Sequence, residues 1–97
     1  MPDVLSADEV DRLIGSELSG WSREDDSLVR SIESPTFALG IRLVDAVAVV
    51  ADELDHHPDM DIRWTTTTFR LSTHSEGGIT RQDVELAHRI DALANER

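Results

Sequence analysis

The sequence predicts an α+β fold in two layers, an antiparallel four-stranded sheet with helices packed on one face, in the order α-β-β-α-β-β-α. Three observations predict it. Three segments carry apolar residues at helical spacing behind N-capping residues. Between them lie short segments in which apolar residues alternate at period two. The connections within each strand pair are short, which makes neighbouring strands antiparallel and the domain α+β.

Taken in order, Ser6-Ala7-Asp8-Glu9 forms a capping box, with Leu5 and Val10 placed as a hydrophobic staple. The helix behind it carries Val10, Leu13, Ile14 and Leu18 on one stripe and is expected to end at Gly20. Trp21 opens a more polar stretch leading to Leu28–Ile32, a strand with its partner close by. Ser34-Pro35 reads as an N-cap followed by proline in the first helical position. The second helix has one apolar stripe through Phe37, Ile41, Val44, Ala48 and Ala51. A second stripe beside it runs through Leu39, Leu43, Val47, Val50 and Leu54. That face is wider than a single-sided surface helix needs. A homodimer or tetramer burying part of it is the expectation, with Leu43 or Val47 at or beside the contact.

Past Pro58, Ile62 and Trp64 fall on even positions, whereas Phe69, Leu71 and Thr73 fall on odd ones. A one-residue change of phase inverts the buried face, so a turn or bulge between two strands is expected within Thr65–Thr68. Thr80-Arg81-Gln82-Asp83 resembles a second capping box, starting a last helix with Val84, Ala87, Ile90 and Ala94 inward.

A chain of 97 residues with 39% apolar content predicts one compact domain, residues 1–97, that gains from oligomerisation. No signal peptide or membrane span is read, and with no cysteine the chemistry of thiolates and disulfides is excluded; the cytoplasm is the expected location. Twenty acids oppose nine bases, all arginine, for a net charge of −11. Without lysine there is no Schiff-base chemistry. The arginines are scattered from Arg12 to Arg97, so direct nucleic-acid binding is not expected.

The chemistry concentrates in His56-His57-Pro58, Ser72-Thr73-His74 and Asp83. Histidine titrates nearest neutrality, so this cluster suggests proton transfer or metal binding. Pro58 forces His57 into an extended geometry, and His74 precedes Ser75-Glu76-Gly77-Gly78, where a ligand can approach the backbone. Each residue also has a plainer explanation. His56 and His57 can simply end a helix, where imidazolium suits the dipole, and His74 can be a strand-end histidine bonded to a carbonyl. Asp83 can be wholly a reciprocal cap, or can also orient a histidine. Asp52 and Glu53, one turn before the pair, read as solvated, and His88 as a surface residue. Three histidines and an acid could hold zinc, but adjacent histidines project apart and helical zinc ligands are usually spaced i, i+4.

Asp52-Glu53-Leu54-Asp55-His56-His57-Pro58, Leu71-Ser72-Thr73-His74 and Asp83 together resemble the pterin-4a-carbinolamine dehydratase family, closely from about Ala51 to Ile90 and more loosely back to Trp21. The resemblance implies a hydro-lyase that removes water from a 4a-hydroxy-tetrahydropterin, the spent cofactor of aromatic amino-acid hydroxylases, giving the quinonoid dihydropterin. It implies His56, His57 and His74 as catalytic residues. Asp55, Pro58, Ser72, Thr73 and Ser75 are the expected substrate-binding positions, with Asp83 and Asp52 in support. It implies no metal and no resident cofactor, the pterin being the substrate. The alternatives are a non-catalytic dimerisation or regulatory module of the same fold, or a metal-binding protein. Met60, two residues after Pro58, departs from the aromatic usual in the family.

Overall fold

The computed structural model describes residues 3–96. Its elements follow the expected order: α1 (Ala7–Ile14), β1 (Ser22–Glu24), β2 (Ser27–Glu33), α2 (Phe37–Leu54), β3 (Asp59–Arg63), β4 (Thr66–Leu71) and α3 (Arg81–Asn95). The sheet is antiparallel throughout, in the order β1-β2-β4-β3.

Directly opposed residues of antiparallel strands share a face. Leu28 opposes Leu71 and Ile32 opposes Thr67, while Phe69 opposes Met60 on β3. Leu28, Ile32, Thr67, Phe69 and Leu71 are all buried, and the four apolar ones join Val47, Val50, Val84, Leu86, Ala87 and Ile90 of the helices in one core. The other face carries Ser31, Thr66, Thr68 and Arg70, none of them buried, with a Ser31–Thr68 hydroxyl hydrogen bond across it. One face covered by helices and one mainly polar, with Val29 opposite Arg70 as its buried apolar exception, is the two-layer arrangement that period-two alternation requires.

The phase change between β3 and β4 is absorbed by a two-residue turn at Trp64 and Thr65, with Trp64 at φ 53°. Only Thr65 of the threonine run lies in the turn; Thr66–Thr68 belong to β4. Two other boundaries differ from expectation. α1 ends at Ile14 with Gly15 as its cap, not at Gly20. The Ser16 hydroxyl binds the Arg12 carbonyl at 2.9 Å, competing with helical continuation, yet the following turn still brings Leu18 fully into the core. α2 starts two residues late, with Thr36 as N-cap. The Ser34 amide donates to the Thr65 carbonyl at 2.8 Å, prolonging the sheet edge, and the residue before a proline resists helical geometry.

α2 also corrects the expected assembly contact. Leu43 and Val47 are 3% and 0% exposed within the chain itself, because α3 and the sheet take that stripe. The other stripe is the open one: Phe37 and Ala48 are exposed, and Ile41 and Val44 half-buried. No helix among the described residues is long and apolar enough to cross a membrane.

Candidate active site

The site is built where α2 stops. Asp55 adopts the left-handed conformation (φ 50°, ψ 44°); its amide bonds to the Asp52 carbonyl and that of His56 to the Ala51 carbonyl. This is a Schellman ending, with aspartate in the place glycine usually takes, a tolerated exchange since Asp visits this region more readily than most residues. Reversing the chain there separates the two histidines. His56 is 9% exposed, whereas His57 is at the surface.

His56 Nε2 lies 2.5 Å from Asp83 Oδ1. Asp83 is completely buried, as N3 of the capping box that starts α3, and its Oδ2 accepts from the Thr80 amide at 2.9 Å and from the Thr73 hydroxyl at 2.8 Å. A carboxylate so held makes Nε2 the protonated nitrogen of a neutral His56. Nδ1 finds no hydrogen-bonding partner in the described chain, where no buried side-chain nitrogen or oxygen is left unpaired, so Nδ1 meets solvent. A buried carboxylate behind an imidazole is a proton-accepting arrangement, since it stabilises the imidazolium that forms.

His57 is paired instead with Asp52, Nε2 to Oδ1 at 2.9 Å, both exposed. His74 opens the turn after β4, where Thr73 and Gly78 form a bridge and Gly77, at φ 75°, makes the reversal that a residue with a side chain would resist.

A cavity of about 340 Å³ brings these parts together, lined by Asp55, His56, His57, Ser72, Thr73, His74, Ser75 and Gln82. Seven of the positions singled out from sequence thus share one concavity. Pro58 does not line it, and Asp52 and Asp83 stand behind it through His57 and His56. The Ser72 hydroxyl donates to the Asp26 carbonyl at 2.9 Å. Gln82 was missed by sequence reasoning. Only its place beside Asp83 in the capping box could have suggested it, since the first turn of α3 faces the cavity. His88 is exposed and pairs with Glu17 at 3.0 Å, away from the cavity lining. Among the described residues no group of three or more His, Asp or Glu side chains is arranged to hold a metal ion.

Three helices on one face of a four-stranded antiparallel sheet, with a histidine-lined cavity where α2 and β4 end beside the start of α3, define a small α+β protein with one concave polar site. The sequence model of the Pterin 4 alpha carbinolamine dehydratase family matches residues 3–93, and the chain belongs to that family. A protein of Mycobacterium sp. strain KMS, provisionally named pterin-4-alpha-carbinolamine dehydratase, is 52% identical over 90 residues, covering 93% of this chain and 95% of its own. A counterpart of Mycobacterium tuberculosis strain H37Rv, with the same provisional name, is 51% identical over the same coverage. Among solved structures, a transcriptional coactivator/pterin dehydratase from Brucella melitensis superposes with a TM-score of 0.90 at 29% identity, over 95% of this chain and 99% of its own. A pterin dehydratase-like protein described as a RuBisCO assembly factor in the alpha-carboxysome shares the fold, with a TM-score of 0.63 at 23% identity over 76% of this chain and 86% of its own.

Proposed function

We propose that the protein dehydrates a 4a-hydroxy-tetrahydropterin to the quinonoid dihydropterin, returning the spent cofactor of an aromatic amino-acid hydroxylase to use. Family membership supports the reaction class. The observation that carries the assignment to this chain's residues is that His56, His57 and His74 edge one cavity of about 340 Å³, within the roughly 300–1,000 Å³ of small-molecule sites.

In this reaction the C4a–O bond and the N5–H bond break, the C4a=N5 bond forms, and the hydroxyl leaves as water with one added proton. His56 is suited to receive a proton at Nδ1, because Asp83 stabilises the resulting imidazolium from the other side. His74, exposed and lining the same cavity, delivers a proton to the departing hydroxyl. His57, steadied by Asp52, holds the substrate or serves as a second base. The backbone of Ser72–Ser75, with the Ser75 hydroxyl and Asp55, meets the polar edge of the ring. The pterin is the substrate, no resident cofactor or metal takes part, and the protein works in the cytoplasm.

The test is turnover of a 4a-hydroxy-tetrahydropterin by the purified chain. His57→Ala is expected to lower turnover at least about tenfold while the circular dichroism stays native, because an exposed polar side chain contributes little to the core. Activity is expected to survive chelation. Equal turnover in the variant would overturn the role of His57. A folded wild type without turnover would favour a binding-only module, and loss on chelation restored by zinc would favour a metal site.

The open stripe of α2 supports a homodimer or dimer of dimers. Phe37 is 53% exposed and Val49, on the flank of the same helix, 61%. Apolar side chains on one unpartnered helix face favour association. Ile41→Asp or Val44→Asp is expected to shift the protein toward monomer in light scattering without unfolding it. Leu43→Asp is expected to unfold it, since Leu43 is core. A wild type that stays monomeric at micromolar concentration would overturn the assembly.

A further inference from the structure

We propose that Thr73, with Thr80 behind it, is a positioning residue that fixes which nitrogen of His56 is offered to the cavity; the inference rests on the acid–base role given to His56 above. Every hydrogen in the cluster has one available direction. A backbone amide can only donate, so Thr80 N–H donates to Asp83 Oδ2 at 2.9 Å. The Thr73 hydroxyl gives its single hydrogen to the same oxygen at 2.8 Å. At its 2.7 Å contact with the Thr80 hydroxyl it must therefore accept, and Thr80 must donate. Thr80 Oγ1 in turn accepts from the Gln82 amide at 3.2 Å. The chain of donors thus runs from Gln82 through Thr80 and Thr73 to Asp83 Oδ2, leaving Oδ1 to His56 Nε2–H alone.

Thr73 is not needed for the cap. The start of α3 is satisfied by Thr80 and Asp83 between themselves, and Thr73 stands ten residues before Asp83, beyond the end of β4. A buried hydroxyl costs free energy unless it is bonded, and a valine of the same shape would fill the space. Thr73, Thr80 and Asp83 are 4%, 0% and 0% exposed, so water does not compete for the carboxylate. The backbone of Thr73 does a second task. Its amide donates to the Gly78 carbonyl, and its carbonyl accepts from the amides of Glu76 and Gly77, closing the turn that carries His74. One residue therefore ties the buried histidine, through Asp83, to the turn bearing the exposed one.

The test compares Thr73→Val, which keeps the shape and loses the hydroxyl, with Thr73→Ser, which keeps the hydroxyl. Long-range ¹H–¹⁵N correlation spectra of the full chain read the His56 tautomer directly, and turnover is measured beside them. In the wild type, neutral His56 is expected to carry its proton on Nε2. In Thr73→Val the two tautomers are expected to mix, and kcat to fall about 10–100-fold, as for other residues that orient a catalytic ligand, with KM little changed. Thr73→Ser is expected to restore the single tautomer and most of kcat. A folded Thr73→Val that keeps the wild-type tautomer would overturn the proposal. Should that variant not fold, the wild type decides: neutral His56 protonated on Nδ1, or a Thr73 hydroxyl proton in fast exchange with water, would equally overturn it. Because the tautomer is read without substrate, absence of dehydratase turnover would refute the proposed reaction and leave this inference to be judged by the spectra.

Discussion

The chain begins two of its helices with the same device. Ser6 and Glu9 cap α1 reciprocally, the amide of Ser6 donating to the Glu9 carboxylate at 3.0 Å and that of Glu9 to the Ser6 hydroxyl at 3.1 Å. Thr80 and Asp83 do the same for α3. The first box lies at the surface, and its acid serves the local helix start, with Arg12 and Arg81 nearby. The second is sealed in the core, and its shorter acid keeps one oxygen for His56. Local sequence sets the cap in both cases; burial and a third partner turn the second into part of a site. The same four-residue motif can thus be read identically and mean different things.

The largest effect expected from this difference is at Asp83. Asp83→Ala removes a cap and leaves the His56 Nε2–H, the Thr73 hydroxyl and the Thr80 amide without their buried acceptor, each such loss typically costing about 1–3 kcal/mol. Urea denaturation should show that loss, and any folded protein that remains should have little turnover. A cost no greater than that of an ordinary surface cap would return Asp83 to the role of Glu9. Next comes Thr80→Val, which removes the capping hydroxyl and is expected to cost about 1–2 kcal/mol in the same measurement. The smallest effect is at Glu9. Its hydrogen bonds from the backbone and side chain of Ser6 lower its pKa from 4.5, with Arg12 and Arg81 assisting. A lowered carboxylate pKa contributes stability that is present above the ordinary value and lost as pH falls through the lowered one. Glu9→Gln should therefore match the wild type progressively better as melting is followed downward from about pH 6 toward about pH 3. A difference that grows on acidification would contradict the cap.

The order of elements was legible because α2 and α3 are long and periodic and the apolar residues on either side of Trp64 and Thr65 alternate in opposite phase. The boundaries that moved were decided by atoms distant in sequence, such as the Thr65 carbonyl holding Ser34 in the sheet edge. In the site, the residue types were legible in the sequence, and their gathering was implied by the family resemblance. The inequality of the two histidines was not, because it depends on the left-handed turn at Asp55 and on an acid 27 residues away. Nor could spacing assign the Thr73 hydroxyl, whose hydrogen is spent inside the protein, on Asp83. The stripe of α2 that faces inward was equally hidden, since both stripes are apolar and only packing against α3 and the sheet chooses between them.

The chain also carries its own pair of optical reporters. Trp21 is 3% exposed, its indole N–H bound to Asp91 at 2.9 Å, while Trp64 stands 81% exposed at the tip of the β3–β4 hairpin. In fluorescence the two should separate: Trp21 emits at the blue side and is shielded from iodide, Trp64 at the red side and open to it. Quenching therefore watches the hairpin tip while the blue component watches the core, so that covering of the tip and melting of the fold become two distinguishable signals from one unlabelled protein.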